Sequence, residues 1–295
     1  MAEFSVIIPC YNQGMYLKEA IDSVLNQTFQ DFEIIVVNDA STDEETKRVF
    51  SEFDVPKAHV ISFEENQGPS AARNAAIKEA EGKYILPLDA DNKIGPTYLE
   101  KAFEILEKNT SVGIVYCKAE LFGKERGEWD LKPYSLKEVL NCNCIFVSAV
   151  FRKSDWAAVG GFNGNMIYSL EDWDFWLSLI EKGVEVYQIP EFLFFYRKHS
   201  VSRSVLALGS EKKATRQIIL NHLSLYAKNI GLLRQEMLLA FFDKKIRRKV
   251  IKKSLPYYVC FLENLFSRLM WGLKAYLYFP IYIRRIYEML SKGNK

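Results

Sequence analysis

Cysteine and histidine are scarce in this chain of 295 residues, with five of the first and three of the second. The cysteines (Cys10, Cys117, Cys142, Cys144 and Cys260) are odd in number and show no CxxC spacing. That argues against a disulfide framework and fits a reducing compartment. Cys142-Asn143-Cys144 offers half a metal site, but no second Cys or His pair completes it, so these are read as core thiols on a strand. Long apolar runs are also missing from the C-terminal region, where the longest uncharged stretches are nine residues, too short to span a bilayer. No repeat period and no low-complexity tract appear, and the composition is that of an ordinary globular protein rather than a disordered one. The N-terminus runs directly into a strand-like segment without a charged leader or cleavage site, so no signal peptide is expected.

Charge is present but unevenly placed. The net charge is +2, yet Asp243 to Lys295 holds 13 Lys or Arg against 3 Asp or Glu, which leaves the first 242 residues acidic. An acidic body with a basic tail faces two kinds of partner. Nucleic acid is not one of them, because the body would repel it.

The first half alternates strand and helix signals. Phe4 to Pro9 and Phe32 to Val37 are short apolar runs suited to buried parallel strands. Leu17, Ala20, Ile21, Val24 and Leu25 fall at helical spacing between them. A strand near His59 to Phe63, a helix over about Pro69 to Ala80 and a strand at Tyr84 to Leu88 follow. This order implies βαβ units and a mostly parallel sheet, with ligands outside the carboxyl ends of the strands. Polar residues stand at three such ends: Tyr11-Asn12, Asn38-Asp39 and Asp89-Ala90-Asp91. Further strands are expected at Gly113 to Cys117, Asn143 to Phe151, Val186 to Ile189 and Phe192 to Tyr196, around a helix after Glu171. From about Val205 onward only helical patterns remain.

Four groups of residues have chemical potential. In extended backbone, Asp89 and Asp91 would point the same way and share a hard cation such as Mg²⁺ or Mn²⁺, or they form a solvated turn. Glu171-Asp172, in EDWDFWLSL, opens an amphipathic helix; the carboxylates either cap it or include a general base. Asn66-Gln67-Gly68-Pro69-Ser70 with Arg73 reads either as a helix start that receives phosphate or as an ordinary loop-to-helix junction. His199 is a further metal ligand or a surface histidine.

In order along residues 3 to 203, SVIIPCYNQGMYLKEAIDSVLNQT, FEIIVVNDASTD, NQGPSAARNAAI, LPLDAD, GGF and EDWDFWLSL resemble the family 2 glycosyltransferases, which have the GT-A fold. The resemblance implies a Rossmann-like α/β catalytic domain over 1–205, with a nucleotide-binding half to about 112 and an acceptor half over 113–205. A helical C-terminal region over 206–295 follows. It implies that Pro9 and Tyr11 line the nucleobase, Asp39 hydrogen-bonds it, and Gly68 and Arg73 support base and diphosphate. Asp91 matches the direct metal ligand of the DxD motif, Asp89 faces ribose or a metal-bound water, and His199 falls near the metal. Asp172 matches the catalytic base, with Glu171 beside it. The implied activity is metal-dependent (Mn²⁺ or Mg²⁺), inverting transfer from a nucleotide sugar, UDP by default, to a glycan or lipid-linked hydroxyl. The QxxRW-type motif of processive relatives is absent, which points to addition of single sugars.

Two other classes fit the sequence less well. A sugar nucleotidyltransferase would open with a Gly-rich loop bearing Arg and Lys, which PCYNQGMY lacks. A non-catalytic relative would tend to have lost Asp91 or Asp172. In the tail, Lys244 to Lys253 has seven basic residues in ten, and ten aromatics fall between Tyr257 and Tyr287. Such helices lie in membrane interfaces or pack as a helical cap. The expected location is the cytoplasm, on the inner face of the membrane if the tail is interfacial and free of it if the tail is a cap.

Overall fold

Apolar runs without alternation make strands covered on both faces. β1 (Phe4–Cys10) and β2 (Phe32–Asn38) are such runs, paired in parallel with Phe4 beside Phe32 and Cys10 beside Asn38. A computed structural model describes residues 2–167, 169–199, 211–234 and 237. In it β3 (Ala58–Ser62) adds in parallel to β2, and β4 (Tyr84–Pro87) to β1. Helices α1 (Gly14–Leu25), α2 (Glu44–Ser51) and α3 (Pro69–Glu79) make the crossovers. The βαβ order expected from the sequence is therefore present, and the carboxyl ends of β1, β2 and β4 share one edge.

The rest of the chain extends the sheet. β5 (Lys93–Ile94), α4 (Tyr98–Lys108), β6 (Val112–Gly123), β7 (Gly127–Glu128) and α5 (Leu136–Val139) come first. β8 (Val150–Arg152), α6 (Lys153–Val159), α7 (Glu171–Glu181), β9 (Glu185–Lys198) and α8 (Glu211–Asn221) follow. The strand order is β3-β2-β1-β4-β8-β6-β9-β5, with β7 on β6. Short β8 runs antiparallel to both β4 and β6 and joins the two halves, while β6 and β9 form a long parallel pair. The parallel pairs have the long registers, so the sheet is mostly parallel.

Two strand assignments change. Of the expected Asn143 to Phe151 strand only Val150 and Phe151 are strand, within β8, and residues 141–149 are loop. The indole N–H of Trp176 takes the carbonyl of Ile145 at 3.1 Å, so a side chain stands where a ladder would. Cys144 is buried as expected, and Cys142 is half-buried. The two strands expected at Val186 to Ile189 and Phe192 to Tyr196 are one, β9. Its register jumps from Cys117 opposite Ile189 to Lys118 opposite Phe192. The irregularity absorbs Pro190, which has no N–H to donate.

Aromatic packing anchors both halves. Phe4 meets Phe29, Tyr84 and Phe103 beside β1, and Phe151 meets Phe162, Phe175 and Trp176 under α7. Each buried Phe contributes about 1.5–3 kcal/mol of transfer free energy, so the second cluster fixes α7 firmly.

The chain divides into two compact units, Met1–His222 and Leu223–Lys295. In the second, α9 (Leu223–Lys228) and a 3-10 turn at Ile230–Leu232 are described. The basic and aromatic stretches at Lys244 to Lys253 and Tyr257 to Tyr287 lie outside the described residues. Among the described residues no helix is long and apolar enough to cross a membrane.

Candidate active site

The ends of β1 and β2 are joined first. Asp39 N donates to the Cys10 carbonyl at 2.9 Å. The Asp39 carboxylate then grips the loop entering α3: Oδ1 accepts from Gln67 N at 2.7 Å, and Oδ2 from Gly68 N at 2.9 Å and Asn66 Nδ2 at 3.1 Å. Gly68 has φ +82° with no atom within 4 Å of a Cβ placed there, so backbone conformation, not crowding, calls for glycine. Pro69 follows as the first residue of α3. Pro9 is half-buried in β1, and the Tyr11 ring beyond it is 44% exposed.

Arg73 lies just over one turn into α3 and is buried. Its Nη2 donates to Asp89 Oδ1 at 2.8 Å and its Nη1 to Glu171 Oε1 at 3.1 Å. One guanidinium therefore ties the first acid after β4 to the first acid of α7, which lies 98 residues beyond Arg73 in the chain. Burial opposes its charge, but Asp89 and Glu171 together outweigh that and hold its pKa above the ordinary value. Nε of Arg73 is buried without a hydrogen-bond partner among the described residues.

Asp89 and Asp91 do not diverge from an extended segment. β4 ends at Pro87, and Asn92 N donates to the Asp89 carbonyl at 3.0 Å, closing a turn. Asp89 consequently goes to Arg73, while Asp91 Oδ2 takes Gln13 Nε2 at 3.0 Å and faces His199 Nε2 at 2.9 Å. Burial raises the Asp91 pKa and the Asp89 charge adds to this; His199 opposes both. The ring of Tyr16 lies 5.2 Å from that of His199. Among the described residues no three His, Cys, Asp or Glu side chains gather closely enough to enclose an ion. One carboxylate and one imidazole fit instead a cation that keeps positions for phosphate oxygens and water.

α7 begins in strained backbone. Ser169 and Leu170 have φ +81° and +69°, a conformation that costs L-residues of order 1–3 kcal/mol and concentrates at functional sites. Glu171 is buried, and Asp172 keeps part of its surface open. Asp172 Oδ1 accepts from Trp173 N at 2.8 Å and Oδ2 from Asn143 Nδ2 at 2.9 Å. Burial first, and the Glu171 charge second, push its pKa up to about 6, against the pull of the Trp173 N–H, Asn143 and Arg73. A carboxylate of that basicity suits proton abstraction near neutral pH.

The GGF turn supports this arrangement. Asn74, next to Arg73, donates to the Phe162 carbonyl at 2.7 Å and accepts from Phe162 N and Trp156 Nε1 at 2.9 and 3.0 Å. A Cβ on Gly161 would stand 2.7 Å from Asn74 Oδ1 at φ +80°, so both space and conformation require glycine.

Gln13 and Asn143 escaped the sequence reading. Gln13 adjoins Tyr11-Asn12 at a strand end, a signal that was there to use. Asn143 stands between two cysteines, and nothing local marks it. Asp174 was missed too: buried, it accepts from Asn221 Nδ2 at 2.6 Å and Asn163 Nδ2 at 3.2 Å, and faces His222 Nε2 at 3.2 Å. A cavity of about 740 Å³ opens there, lined by Gly160, Asn163, Asp174, Glu181 and His222 among others. Its polar groups bond one another, and none of the expected site residues lines it.

The mostly parallel sheet with the acids at its carboxyl edge defines an α/β protein of the GT-A fold. The model of glycosyl transferase family 2 matches residues 5–161, more than half of the chain. The chain belongs to this family. It is 30% identical to an uncharacterised glycosyltransferase of Rickettsia typhi, over 82% of this chain and 85% of that one. It is also 30% identical to a Bacillus subtilis glycosyltransferase assigned to teichuronic acid biosynthesis, over 65% of this chain and 78% of that one. Among solved structures, S. aureus TarS with UDP-GlcNAc matches with TM-score 0.64 at 20% identity, over 90% of this chain and 80% of that one. A Pyrobaculum calidifontis mannosyltransferase with GDP-Man and Mn²⁺ matches with TM-score 0.54 at 16% identity, over 89% and 84%. These two likenesses are of fold.

Proposed function

We propose that this glycosyltransferase moves a single sugar from a UDP-sugar to a hydroxyl of a glycan or lipid-linked acceptor, with inversion, in the synthesis of a surface polysaccharide or glycan. One observation carries the reading: Arg73 joins Asp89 to Glu171 and so brings the acids at the end of β4 beside those that open α7. Residues to about 112 bind the donor and those over 113–205 the acceptor.

Tyr11 stacks on the base, and Asp39, with Oδ1 holding a single hydrogen bond, has lone-pair capacity left for a base N–H. Arg73 adds positive charge beside the diphosphate. Asp91 and His199 would hold Mn²⁺ or Mg²⁺, with Asp89 in reach of ribose or a metal-bound water. When bound, the cation offsets negative charge on the departing diphosphate.

Asp172 accepts the proton of the acceptor hydroxyl as its oxygen attacks the anomeric carbon. The bond from that carbon to the diphosphate oxygen breaks on the opposite face, and the nucleoside diphosphate leaves with the electron pair. Configuration inverts in one displacement, with no covalent enzyme intermediate.

The test is thermal stabilisation of the full chain by UDP-glucose, UDP-GlcNAc and GDP-mannose, each with and without Mn²⁺. Ligand that binds the native state raises Tm, by about 2.7 kcal/mol of stability at a hundredfold excess over Kd. A UDP-sugar that acts only with Mn²⁺ supports the reading, and no response to any of the three overturns it.

A further inference from the structure

Residues 139–145 are fastened to α7 at two points. Trp173 Nε1 donates to the Val139 carbonyl at 2.7 Å, and Trp176 Nε1 to the Ile145 carbonyl at 3.1 Å. Both indoles are buried. Between these staples lies Asn143, and both ends of its amide are engaged. Nδ2 donates to Asp172 Oδ2 at 2.9 Å, while Oδ1 accepts from Ile145 N at 3.4 Å. A carboxylate takes only donors, and a backbone N–H takes only acceptors, so the two contacts together set which way the amide faces. Asp172 Oδ1 is meanwhile held by the N–H of Trp173 at 2.8 Å. With a donor on each oxygen, the carboxylate cannot rotate without losing a hydrogen bond.

We propose that Asn143 is a positioning residue for Asp172: it fixes the plane of that carboxylate and leaves its remaining lone pairs for the acceptor hydroxyl. The proposal rests on Asp172 being the general base. Its physical content is that misorientation of a reacting group is expensive, a 1 Å error costing up to about 10²-fold in rate. The groups facing Asp172 are few. Glu171 stands beside it on α7, Arg73 reaches over from α3, the Trp173 N–H comes from its own helix, and Asn143 comes from the loop. Asn143 is the neutral side chain of this set, so replacing it alters the hydrogen bond without deleting a charge. A packing role would need only the shape of the side chain, whereas positioning needs its N–H.

The experiment separates these. The full chain carrying ¹³C-carboxyl aspartate is titrated as wild type, Asn143→Ala and Asn143→Asp, with the Asp172 signal assigned by its loss in Asp172→Asn. The wild-type midpoint is expected near 6. In Asn143→Ala it rises by about one pH unit as a donor to the charged form is lost. In Asn143→Asp, nearly the same shape, it rises further, because an acceptor of like charge replaces the donor. UDP release from UDP-GlcNAc with Mn²⁺ then shows kcat down about tenfold in Asn143→Ala with the donor KM within about twofold. Unmoved midpoints in both variants overturn the proposal, as does an Asn143→Asp protein that behaves as wild type. The two readings fail separately. Full transfer by Asp172→Asn removes the base and with it this role, whereas an inactive Asp172→Asn beside unmoved Asn143 midpoints removes only the role of Asn143.

Discussion

The half of the fold built on β1–β4 and the half built on β6–β9 hold their polar groups by different means. In the first, each group stands at or just beyond the end of a strand or the start of a helix: Tyr11 after β1, Asp39 after β2, Gly68 before α3, Asp89 after β4. Backbone hydrogen bonds do most of the fixing, as where Asp39 clamps Gln67 and Gly68. In the second half, Asp172 stands on a helix that starts from strained residues and is oriented by Asn143, 29 positions earlier. Asp174 of the same helix is held by Asn221 and His222. The lesson is that a polar edge can be assembled from local geometry, whereas orienting the Asp172 carboxylate takes a neighbour brought from far along the chain.

Breaking the second half at its centre has the largest expected effect. Asp172→Asn lowers transfer by about 10²–10⁴-fold, the usual worth of a general base, and leaves donor binding nearly intact. Steady-state rates together with donor titration by calorimetry check this; loss of donor binding instead would move Asp172 to the donor side of the comparison. Next comes the bridge between halves. Arg73→Ala leaves Asp89 and Glu171 without their shared cation, and a denaturant melt is expected to show about 3 kcal/mol of lost stability. Arg73→Lys recovers only part of it, because an ammonium cannot reproduce the two-sided fork.

A pH series sharpens the contrast further. Asp172 must be ionised to act, so turnover is expected to fall about tenfold per unit below pH 6, the value to which its pKa is pushed. The sign for stability is the reverse. A carboxyl whose folded pKa is raised favours the folded state in its neutral form. Its contribution is complete below the ordinary aspartate range and lost as pH climbs to about 6. Wild type should therefore lose about 2 kcal/mol between pH 4 and 6 that Asp172→Asn does not lose. Parallel stability curves for the two proteins would contradict this.

Paired glycines probe the two halves without touching the acids. Gly68→Ala, on the first half, meets open space and pays only for its backbone, about 1 kcal/mol. Gly161→Ala, on the second, adds a clash with Asn74 Oδ1 and Trp156 Nε1 and should cost about 1–3 kcal/mol more. Thermal melts of the two variants give the order directly, and equal losses would erase the difference between halves.

From the residues alone, the periodicity of β1 to β4 and the polar clusters after them determined a parallel α/β sheet and the edge where ligands belong. Buried strands and helix starts are local in sequence, and apolar runs, a glycine and a proline are enough to mark them. The ordered motifs further identified the family. Only the tertiary structure decided that Asp89 and Asp91 part company in a turn, that one buried arginine joins Asp89 to Glu171, and that Asn143 reaches Asp172. It also dissolved an expected strand, because an indole of α7 claims the Ile145 carbonyl within that loop. Such pairings depend on which side chains folding brings together across 16 to 108 residues of chain, and no pattern of neighbouring residues encodes that distance.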